Sequence, residues 1–388
     1  MKLPTLTLSG DLEAALRSGH PWVYRNHLPR HTLSTGAWVG VRAGKAEAYG
    51  VYDDEGAVAL RLFGHGPPHD LNVRELVRRR VGEALALREN VSRPDTDSYR
   101  LLYGEGDFLP GITVDRYGRY AALRTYAAGV RTLIPEIVRA LGPLKLRGVV
   151  TRDGGGRDGG GLEALYGQLP PPELTVRENG LKLLANLYSG QKTGLFLDHR
   201  DNRRTLATYS AGKRVLNLFS YTGAFSLYAA RGGASHVTSV DIAPAATEDA
   251  KRNFALNGLD PAAHSFVTAD VFTLLGDYAA RGERYDIVVL DPPSLAKNKS
   301  SRHAALRAYT KLNAQAFRCV TPGGLLATAS CTSQVSPEAF RDLLRDAAVS
   351  AGVRAQIVHE AGHAPDHPVP VGFPEGRYLK FVVARVLP

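Results

Sequence analysis

The chain contains few cysteines and no long apolar run. Only two of its 388 residues are cysteine, too few for a disulfide framework, and this favours a reducing compartment. No stretch reaches the roughly 20 uninterrupted apolar residues of a membrane helix, so no membrane contact is expected. The opening MKLPTLTLSG lacks the charged region and long apolar core of a signal peptide. These absences predict a cytoplasmic protein.

Acidic residues are in deficit. The chain carries 48 Lys and Arg residues against 38 Asp and Glu residues, a formal net charge of +10. The densest basic stretch, residues 297–311, contains lysines and arginines but no acidic residue. Clustered cations neutralise phosphates, whereas the alternative interpretation is a solvated helix face. The charge therefore favours a polyanionic partner such as nucleic acid.

Hydrophobic periodicity divides the chain into three segments. Residues 1–71 show short apolar runs between turns, which predicts a small β-barrel. Residues 72–188 follow a β-β-α-β-β order, typical of an α+β module, and contain a glycine-rich tract at 153–161 interpreted as a flexible loop. From 189 to 388 strands alternate with helices, which predicts an α/β domain with a mostly parallel sheet.

Polar residues follow the first three predicted strands of this third segment. The turn Asn217–Gly223 has a single glycine, which argues against a pyrophosphate-binding dinucleotide site and for a smaller zwitterionic tail. Asp241 closes the second strand, where an acid can accept both ribose hydroxyls. Asp270 closes the third strand and can accept from an adenine amino group. Each aspartate could instead be a helix cap or a turn residue.

Two later strands end in reactive side chains. Asp291-Pro-Pro follows the apolar run 285–290, and Ser330-Cys331-Thr332 follows the run 324–329. Because ligands bind at the carboxyl ends of parallel strands, both triplets are expected to face one crevice. One supplies a carboxylate and the other a thiol.

This order of motifs resembles class I S-adenosylmethionine-dependent methyltransferases. Upstream, SGQKTGLFLDHRDNR at 189–203 resembles the entry motif of methyltransferases acting on large-subunit ribosomal RNA, and GHPWVY at 19–24 resembles the start of a PUA RNA-binding domain. DHPV at 366–369 and FPEGRYLK at 373–380 match the same proteins. The chain thus resembles the three-domain large-subunit (23S) ribosomal RNA methyltransferase I family, which makes 5-methylcytosine.

The resemblance implies a Rossmann-like class I methyltransferase domain at 189–388, preceded by a β-barrel PUA domain at 1–71 and an α+β linker domain at 72–188. It implies S-adenosylmethionine as cofactor and ribosomal RNA as partner. It assigns cofactor binding to Lys192, Phe196, Asn217, Phe219, Ser220, Tyr221, Gly223, Asp241, Ile242, Asp270, Val271 and Asp291.

Methylation of a base carbon requires that the carbon become nucleophilic. Addition of a thiolate to C6 of a pyrimidine achieves this, and Cys331 is the candidate. Asp291, if protonated, can donate to N3 of the base. The alternative for Cys331 is a buried apolar role, which we assign to Cys319. Many 5-methylcytosine enzymes carry a second cysteine beside the Asp291-Pro-Pro position, and this chain has none there.

The sequence alone leaves other functions open. Amino-group methylation also uses such a proline motif but is usually accompanied by an aromatic residue, where this chain has Ser294. A guanine-modifying RNA methyltransferase and a non-catalytic RNA-binding protein are the alternatives. The histidines 359, 363 and 367 have helical spacing, but Pro365 and Pro368 would break that helix, so no metal is expected. A homodimer is compatible with the sequence, which does not fix the oligomeric state.

Overall fold

The computed structural model describes residues 3–67, 71–91, 94–152, 161–296 and 301–388. The glycine tract up to residue 160 and the start of the basic stretch, residues 297–300, lie outside the described residues. The chain divides into two compact units. Unit 1 consists of Met1–Arg177, Ala185–Leu197 and Pro365–Gly376, and unit 2 of Glu178–Leu184, Asp198–Ala364 and Arg377–Pro388. No helix in the described ranges is long and apolar enough to cross a membrane.

The first sheet of unit 1 is the β structure predicted for the start of the chain. Its strands are β1 (Thr5–Thr7), β2 (Trp22–Tyr24), β3 (Trp38–Ala43), β4 (Ala46–Tyr52) and β5 (Val58–His65), in the order β1-β3-β4-β5-β2. Helix α1 (Glu13–Arg17) lies between the first two strands in sequence. Strand β1 pairs with β3 in parallel, and the other pairs are antiparallel. Small and branched residues such as Val39, Ala48 and Leu60 fill the core.

The second sheet of unit 1 matches the predicted α+β module. It has the order β10-β9-β8-β7-β6 and consists of β6 (Ser98–Tyr103), β7 (Ile112–Tyr117), β8 (Tyr120–Thr125), β9 (Gly148–Thr151) and β10 (Glu163–Gly167). The helices are α2 (Val73–Glu89) and α3 (Ile134–Ala140). Helix α2 begins where predicted because the Asn72 side chain accepts from the backbone N–H of Glu75.

One hydrophobic core joins the two sheets of unit 1. Val51 and Phe63 from the first sheet are buried in the same cluster as Leu101 and Leu109 of the second. Asp53 also accepts a hydrogen bond from the backbone N–H of Gly129 (2.9 Å). Apolar burial of this kind is the main stabilising contribution to a domain. Most of the first two predicted segments therefore lies in one compact unit, whereas Glu178–Leu184 belongs to unit 2.

Unit 2 contains a seven-stranded sheet in the order β15-β14-β13-β16-β17-β19-β18. Its strands are β13 (Arg214–Leu218), β14 (His236–Asp241), β15 (Ser265–Thr268), β16 (Tyr285–Leu290), β17 (Val320–Cys331), β18 (Ala355–Ala361) and β19 (Leu379–Val386). The helices are α4 (Arg200–Tyr209), α5 (Ala224–Arg231), α6 (Pro244–Leu256), α7 (Val271–Arg281), α8 (Arg302–Arg318) and α9 (Pro337–Ala351). A separate two-stranded ribbon is formed by β11 (Leu174–Glu178) and β12 (Leu181–Ala185).

The strand order of unit 2 determines where a ligand can bind. Strands β13 to β17 run parallel, whereas β19 is antiparallel to both of its neighbours. The order reverses at β13, between β14 and β16, and ligands of doubly wound sheets bind at such a reversal. The central strands β13 and β16 are largely buried and apolar, as expected in a parallel sheet with helices on both faces. The predicted Rossmann-like α/β fold is confirmed.

Candidate active site

The turn after β13 has an unusual backbone. Phe219 (φ 57°) and Tyr221 (φ 46°) both lie in the left-handed region, and so does Gly223 (φ 75°). This region is unfavourable for non-glycine residues, which keep such a conformation only where surrounding contacts hold the backbone in place. The enforcing contacts come from the end of β14: the N–H of Ser220 donates to the carbonyl of Val240 (2.9 Å), and the N–H of Tyr221 donates to Asp241 Oδ2 (2.8 Å). The turn is thus held in a fixed shape.

Gly223 is required at the end of this turn. An added Cβ would lie 2.7 Å from the Cβ of Ala250 on α6. Gly223 is also the residue before α5, whose first backbone N–H groups lack intrahelical partners. The glycine therefore lets the turn, α5 and α6 approach closely.

Asp241 is the central acceptor of the site. Its Oδ2 accepts from Tyr221, and its Oδ1 accepts from the backbone N–H of Ala243 (3.0 Å). Each carboxylate oxygen has a second lone pair, so the bonded group can still accept from ligand hydroxyls. Beside it, Ile242 is 68% exposed, which is uncommon for an isoleucine and offers an apolar surface to a ring.

Asn217 has a different position from the one expected of a ligand-contacting residue. It is buried, and its Nδ2 donates to Ser226 Oγ (2.8 Å) beneath α5. Ser239 also donates to Ser226 Oγ (2.7 Å). In this structure Asn217 joins β13 to α5 and β14, so its contribution to the turn is structural.

Two buried hydroxyls of the turn have no hydrogen-bond partner among the described residues. They are Ser220 Oγ and Thr222 Oγ1. Buried polar atoms are almost always paired, so unpaired ones call for an explanation such as a ligand. A zwitterionic amino acid tail has the donors and acceptors they lack. Thr222 lies in the predicted turn, but sequence reasoning assigned it no role, because nothing in the sequence signals its burial.

The third strand end has a capping aspartate. Asp270 Oδ1 accepts from the backbone N–H and from the hydroxyl of Thr273, both at 2.9 Å, and so caps α7. The side chain of Val271 is buried in the core, whereas Phe272 is 43% exposed, with its ring 5.7 Å from that of Phe219. Sequence reasoning missed Phe272, because an exposed aromatic residue cannot be recognised without knowing which helix face is covered.

The two reactive triplets lie together. The thiol of Cys331 donates to the backbone carbonyl of Pro292, with an S–O distance of 3.9 Å. Cys331 is half-buried, and the Asp291 carboxylate is 21% exposed. The triplet with the carboxylate and the triplet with the thiol are therefore neighbours in unit 2. In contrast, Cys319 is buried, and burial raises its pKa to about 11, as expected of a packing residue.

His199 is a neighbour of Asp291 that sequence reasoning missed. Its Nε2 lies 3.4 Å from Asp291 Oδ2, and its side chain is buried. The Asn202 amide donates to His199 Nδ1 (3.1 Å), and the same amide nitrogen donates to the carbonyl of Gly362 (3.2 Å). Because that nitrogen faces a carbonyl, it is a donor, so the proton of a neutral His199 resides on Nε2 and faces Asp291.

Lys192 and Phe196 belong to unit 1. The Lys192 ammonium lies 4.3 Å from the centre of the Phe196 ring, a cation–π contact. Their assignment to the cofactor stays a prediction.

The described part of the basic stretch forms the start of α8, where Arg302, Arg307 and Lys311 are exposed. No group of three metal-binding side chains occurs within the described ranges.

Comparisons with known proteins agree with this geometry. A family model described as S-adenosylmethionine-dependent methyltransferase matches residues 157–369, and a PUA-like domain model matches residues 6–64. The chain is 38% identical to a ribosomal RNA large subunit methyltransferase I from Serratia proteamaculans, over 98% of this chain and 99% of that protein. Among solved structures, one described as a SAM-dependent methyltransferase from Streptococcus mutans is 27% identical with a TM-score of 0.85. A methyltransferase solved with SAH is 28% identical with a TM-score of 0.87, and each of these two structures covers 99% of this chain and is itself fully covered.

Proposed function

Because the chain belongs to the ribosomal RNA large subunit methyltransferase I family, we propose that it methylates C5 of a cytidine in 23S ribosomal RNA through Cys331. The observation that supports this proposal is the 3.9 Å contact between the Cys331 thiol and the Pro292 carbonyl. A thiol beside an Asp-Pro-Pro motif allows carbon methylation, which a carboxylate alone does not.

The cofactor is S-adenosylmethionine, and unit 2 has the groups to hold it. The unpaired hydroxyls of Ser220 and Thr222 fit its methionine tail, and Asp241 fits the ribose hydroxyls. Ile242 and Phe272 offer apolar faces to the adenine, with Asp270 at the ring's edge. We further propose that Lys192 and Phe196 of the entry motif contact the cofactor, and that Asn217 supports the turn from below.

The proposed reaction begins with a thiolate. Cys331 adds to C6 of the cytosine, a carbon–sulfur bond forms, and the electrons of the C5–C6 double bond move toward C5. When bound, the cofactor would supply a methyl group activated on a sulfonium; C5 would take up that methyl group as its bond to sulfur breaks, and a neutral thioether would leave. A base then removes the C5 proton, the carbon–sulfur bond breaks, and the thiolate leaves. This chain has no second cysteine beside Pro292 to assist the last step.

Asp291 and His199 act on the other side of the base in this proposal. A protonated Asp291 donates to N3 and withdraws electron density, which makes C6 more electrophilic. The Nε2–H of His199 faces Asp291 Oδ2 at 3.4 Å, so it orients the carboxyl group and leaves Oδ1 for the base. His199 is a positioning residue in this scheme, because it contacts Asp291 rather than the substrate.

The proposed substrate determines partner and location. We propose that the protein acts on large-subunit ribosomal RNA in the cytoplasm. The proposed RNA contacts are the exposed cations at the start of α8 and the PUA-like domain. We keep the division into domains 1–71, 72–188 and 189–388 as a proposal. The proposed assembly is a homodimer. Sedimentation of the purified protein tests this proposal.

The product decides between cytosine and guanine. Base-resolution mapping of 23S ribosomal RNA methylated by the purified protein should find 5-methylcytosine, and a methylated guanine would refute the proposed base. Protein that binds S-adenosylmethionine but leaves all RNA unmodified would support the non-catalytic alternative.

The nucleophile is tested separately. Cys331→Ala should lower turnover by at least 1,000-fold, because C6 addition is lost, while cofactor affinity changes less than about twofold. Cys319→Ala, the other cysteine, is the matched control and should retain turnover. Methyl transfer by Cys331→Ala at the wild-type rate would exclude the thiol mechanism.

A further inference from the structure

Lys380 is a buried lysine at the end of the sheet that carries Cys331. The residue is 4% exposed and lies on β19, where it pairs with Ser330 of the antiparallel strand β17. Its ammonium donates to the backbone carbonyls of Thr332 and Tyr378. It therefore holds the carbonyl of Thr332, the residue that directly follows the cysteine.

The ammonium has no carboxylate partner among the described residues. Its hydrogen-bond acceptors there are the two carbonyls, and three N–H donors have to be satisfied. A buried charge without a counter-ion is costly, and proteins usually pair it or replace it with an apolar residue. The thiol of Cys331 is the group whose ionised form would act as that counter-ion, because a thiolate there raises the Lys380 pKa against the effect of burial.

Thr332 connects Lys380 to the Asp291-Pro-Pro segment. While its carbonyl accepts from Lys380, its hydroxyl donates to the carbonyl of Ala296 (3.4 Å). Ser294 donates to the same Ala296 carbonyl (3.0 Å). The contacts form a short chain from Lys380 through Thr332 to the segment that contains Pro292. Movement of the lysine would therefore disturb the placement of the thiol against Pro292.

We infer that Lys380 is a positioning residue for Cys331: its buried ammonium fixes the carbonyl of Thr332, the residue after the cysteine, and supplies the positive charge that a Cys331 thiolate needs. The inference rests on the proposed function, since only a cysteine nucleophile has to be a thiolate. It assigns a role in catalysis to the lysine of the 373–380 motif, which the chemistry described above does not use.

The charged groups around the thiol set the pH range of this effect. Directly after β16, the Asp291 carboxyl group opposes a thiolate only when it is ionised, and His199 lies behind it. From α8, Tyr309 stays neutral because burial raises its pKa. From β19, Lys380 favours the thiolate, and burial lowers the Lys380 pKa to about 8. The ammonium is therefore mostly present at pH 7 and is lost as the pH rises through about 8.

Iodoacetamide alkylation tests the inference without RNA or cofactor. Cys319 is buried with a raised pKa, so the rate at pH 6–9 reports Cys331, with Cys331→Ala as the blank. Lys380→Met should react about tenfold more slowly than the wild type at pH 7, because a thiolate next to a positive charge titrates at lower pH. The difference should shrink above pH 8. Lys380→Gln, which keeps hydrogen bonding but not charge, should behave like Lys380→Met.

Lys251→Met is the matched control, because Lys251 is an exposed lysine on α6 paired with Glu248 (3.1 Å). It should react like the wild type. Equal pH profiles for the wild type and a folded Lys380→Met protein would overturn the inference. If neither Lys380 variant folds, the wild-type profile decides, since a midpoint at or above the roughly 8.5 of free cysteine contradicts an activating charge.

Failure of the inference is distinguishable from failure of the proposed function. Alkylation measures the thiol in the absence of substrate, whereas product mapping measures which base is methylated. An unshifted profile together with 5-methylcytosine as product would refute the role of Lys380 alone. A shifted profile together with a guanine product would leave the charge effect established but refute the cytosine mechanism, and with it the catalytic role of Lys380.

Discussion

At the scale of single residues, the site depends on groups that perform two tasks at once. Asp241 holds the turn by accepting from the backbone N–H groups of Tyr221 and Ala243, and in the proposed complex it also holds the ribose. Its negative charge strengthens all of these hydrogen bonds. Removing the charge should therefore affect the shape of the turn and the affinity for the cofactor together.

Asp241→Asn should weaken S-adenosylmethionine binding by at least tenfold in isothermal titration calorimetry. The amide loses the charge, and its NH₂ group cannot accept from Tyr221 or from the ribose; hydrogen bonds to charged groups contribute about 1.5–3 kcal/mol. Asp260→Asn is the control, since Asp260 also accepts from a backbone N–H, that of Ala262, but caps a different turn. Equal affinity of the two variants would contradict the role of Asp241.

Sequence reasoning located the residue types of the site better than their orientations. Asp241, Asp291 and Cys331 were recognisable because each follows an apolar strand. The role of Asn217 at the cofactor stays a prediction, and its contact with Ser226 could not be expected from the sequence, because it depends on which face of β13 Asn217 occupies. His199 could not be found at all, since it is 92 positions from Asp291 in the sequence and no local pattern joins them.

At the scale of elements, the turn between β13 and α5 combines backbone strain with close packing. Gly223 has φ 75° and also lies against Ala250, whereas Gly258, after α6, has φ 69° with no atom within 4 Å of an added Cβ. The two glycines therefore separate the cost of a left-handed backbone from the cost of a steric clash.

Gly223→Ala should lower the free energy of unfolding more than Gly258→Ala. The left-handed backbone costs about 1–2 kcal/mol at both sites, and the clash with Ala250 adds about 1–3 kcal/mol at Gly223 alone. Urea denaturation followed by far-UV circular dichroism gives the comparison. S-adenosylmethionine affinity should fall only in Gly223→Ala, and equal losses of stability would show that α6 yields to the added methyl group.

The types of the helices and strands were easier to predict from the sequence than the residues at which they begin and end. The strands of unit 2 appear where apolar runs predicted them, because burial on both faces gives a strong signal. Helix α3 follows a 3₁₀ turn, Gly129–Leu133, and Pro135 lies in the first turn of α3. Strand β17 begins at Val320 rather than at Gly324, because a register shift against β16 accommodates the extra residues.

At the scale of the whole molecule, unit 1 includes a segment from near the end of the chain. Arg88 on α2 makes a bidentate ion pair with Asp107 (2.6 and 2.7 Å) and donates to the carbonyl of Asp366 (2.8 Å). Asp366 also accepts from the backbone N–H of Arg100 (2.8 Å). These groups are buried, so each depends on its partners to offset its desolvation.

Arg88→Met should lower the free energy of unfolding of unit 1 by about 3–5 kcal/mol, because it leaves Asp107 buried without a cation. Both tryptophans, Trp22 and Trp38, lie in unit 1, so tryptophan fluorescence during urea denaturation reports this unit. Arg78→Met on the same helix removes an exposed, solvent-screened pair with Glu75 and should lower the free energy of unfolding far less. Similar losses would show that water enters the Arg88 site.

Because Pro365–Gly376 belongs to unit 1, this unit is completed only late in synthesis of the chain. On the ribosome, the preceding segment of unit 1 ends at Leu197, and about 170 further residues must be synthesised before Asp366 exists. At about 5–20 residues per second, that interval lasts roughly 10–30 s. During it the nascent unit 1 carries Arg88 and Arg100 without the acceptors that Asp366 will provide. The first unit to emerge is therefore among the last to be completed, and a ribosome stalled before residue 365 would hold it unfinished.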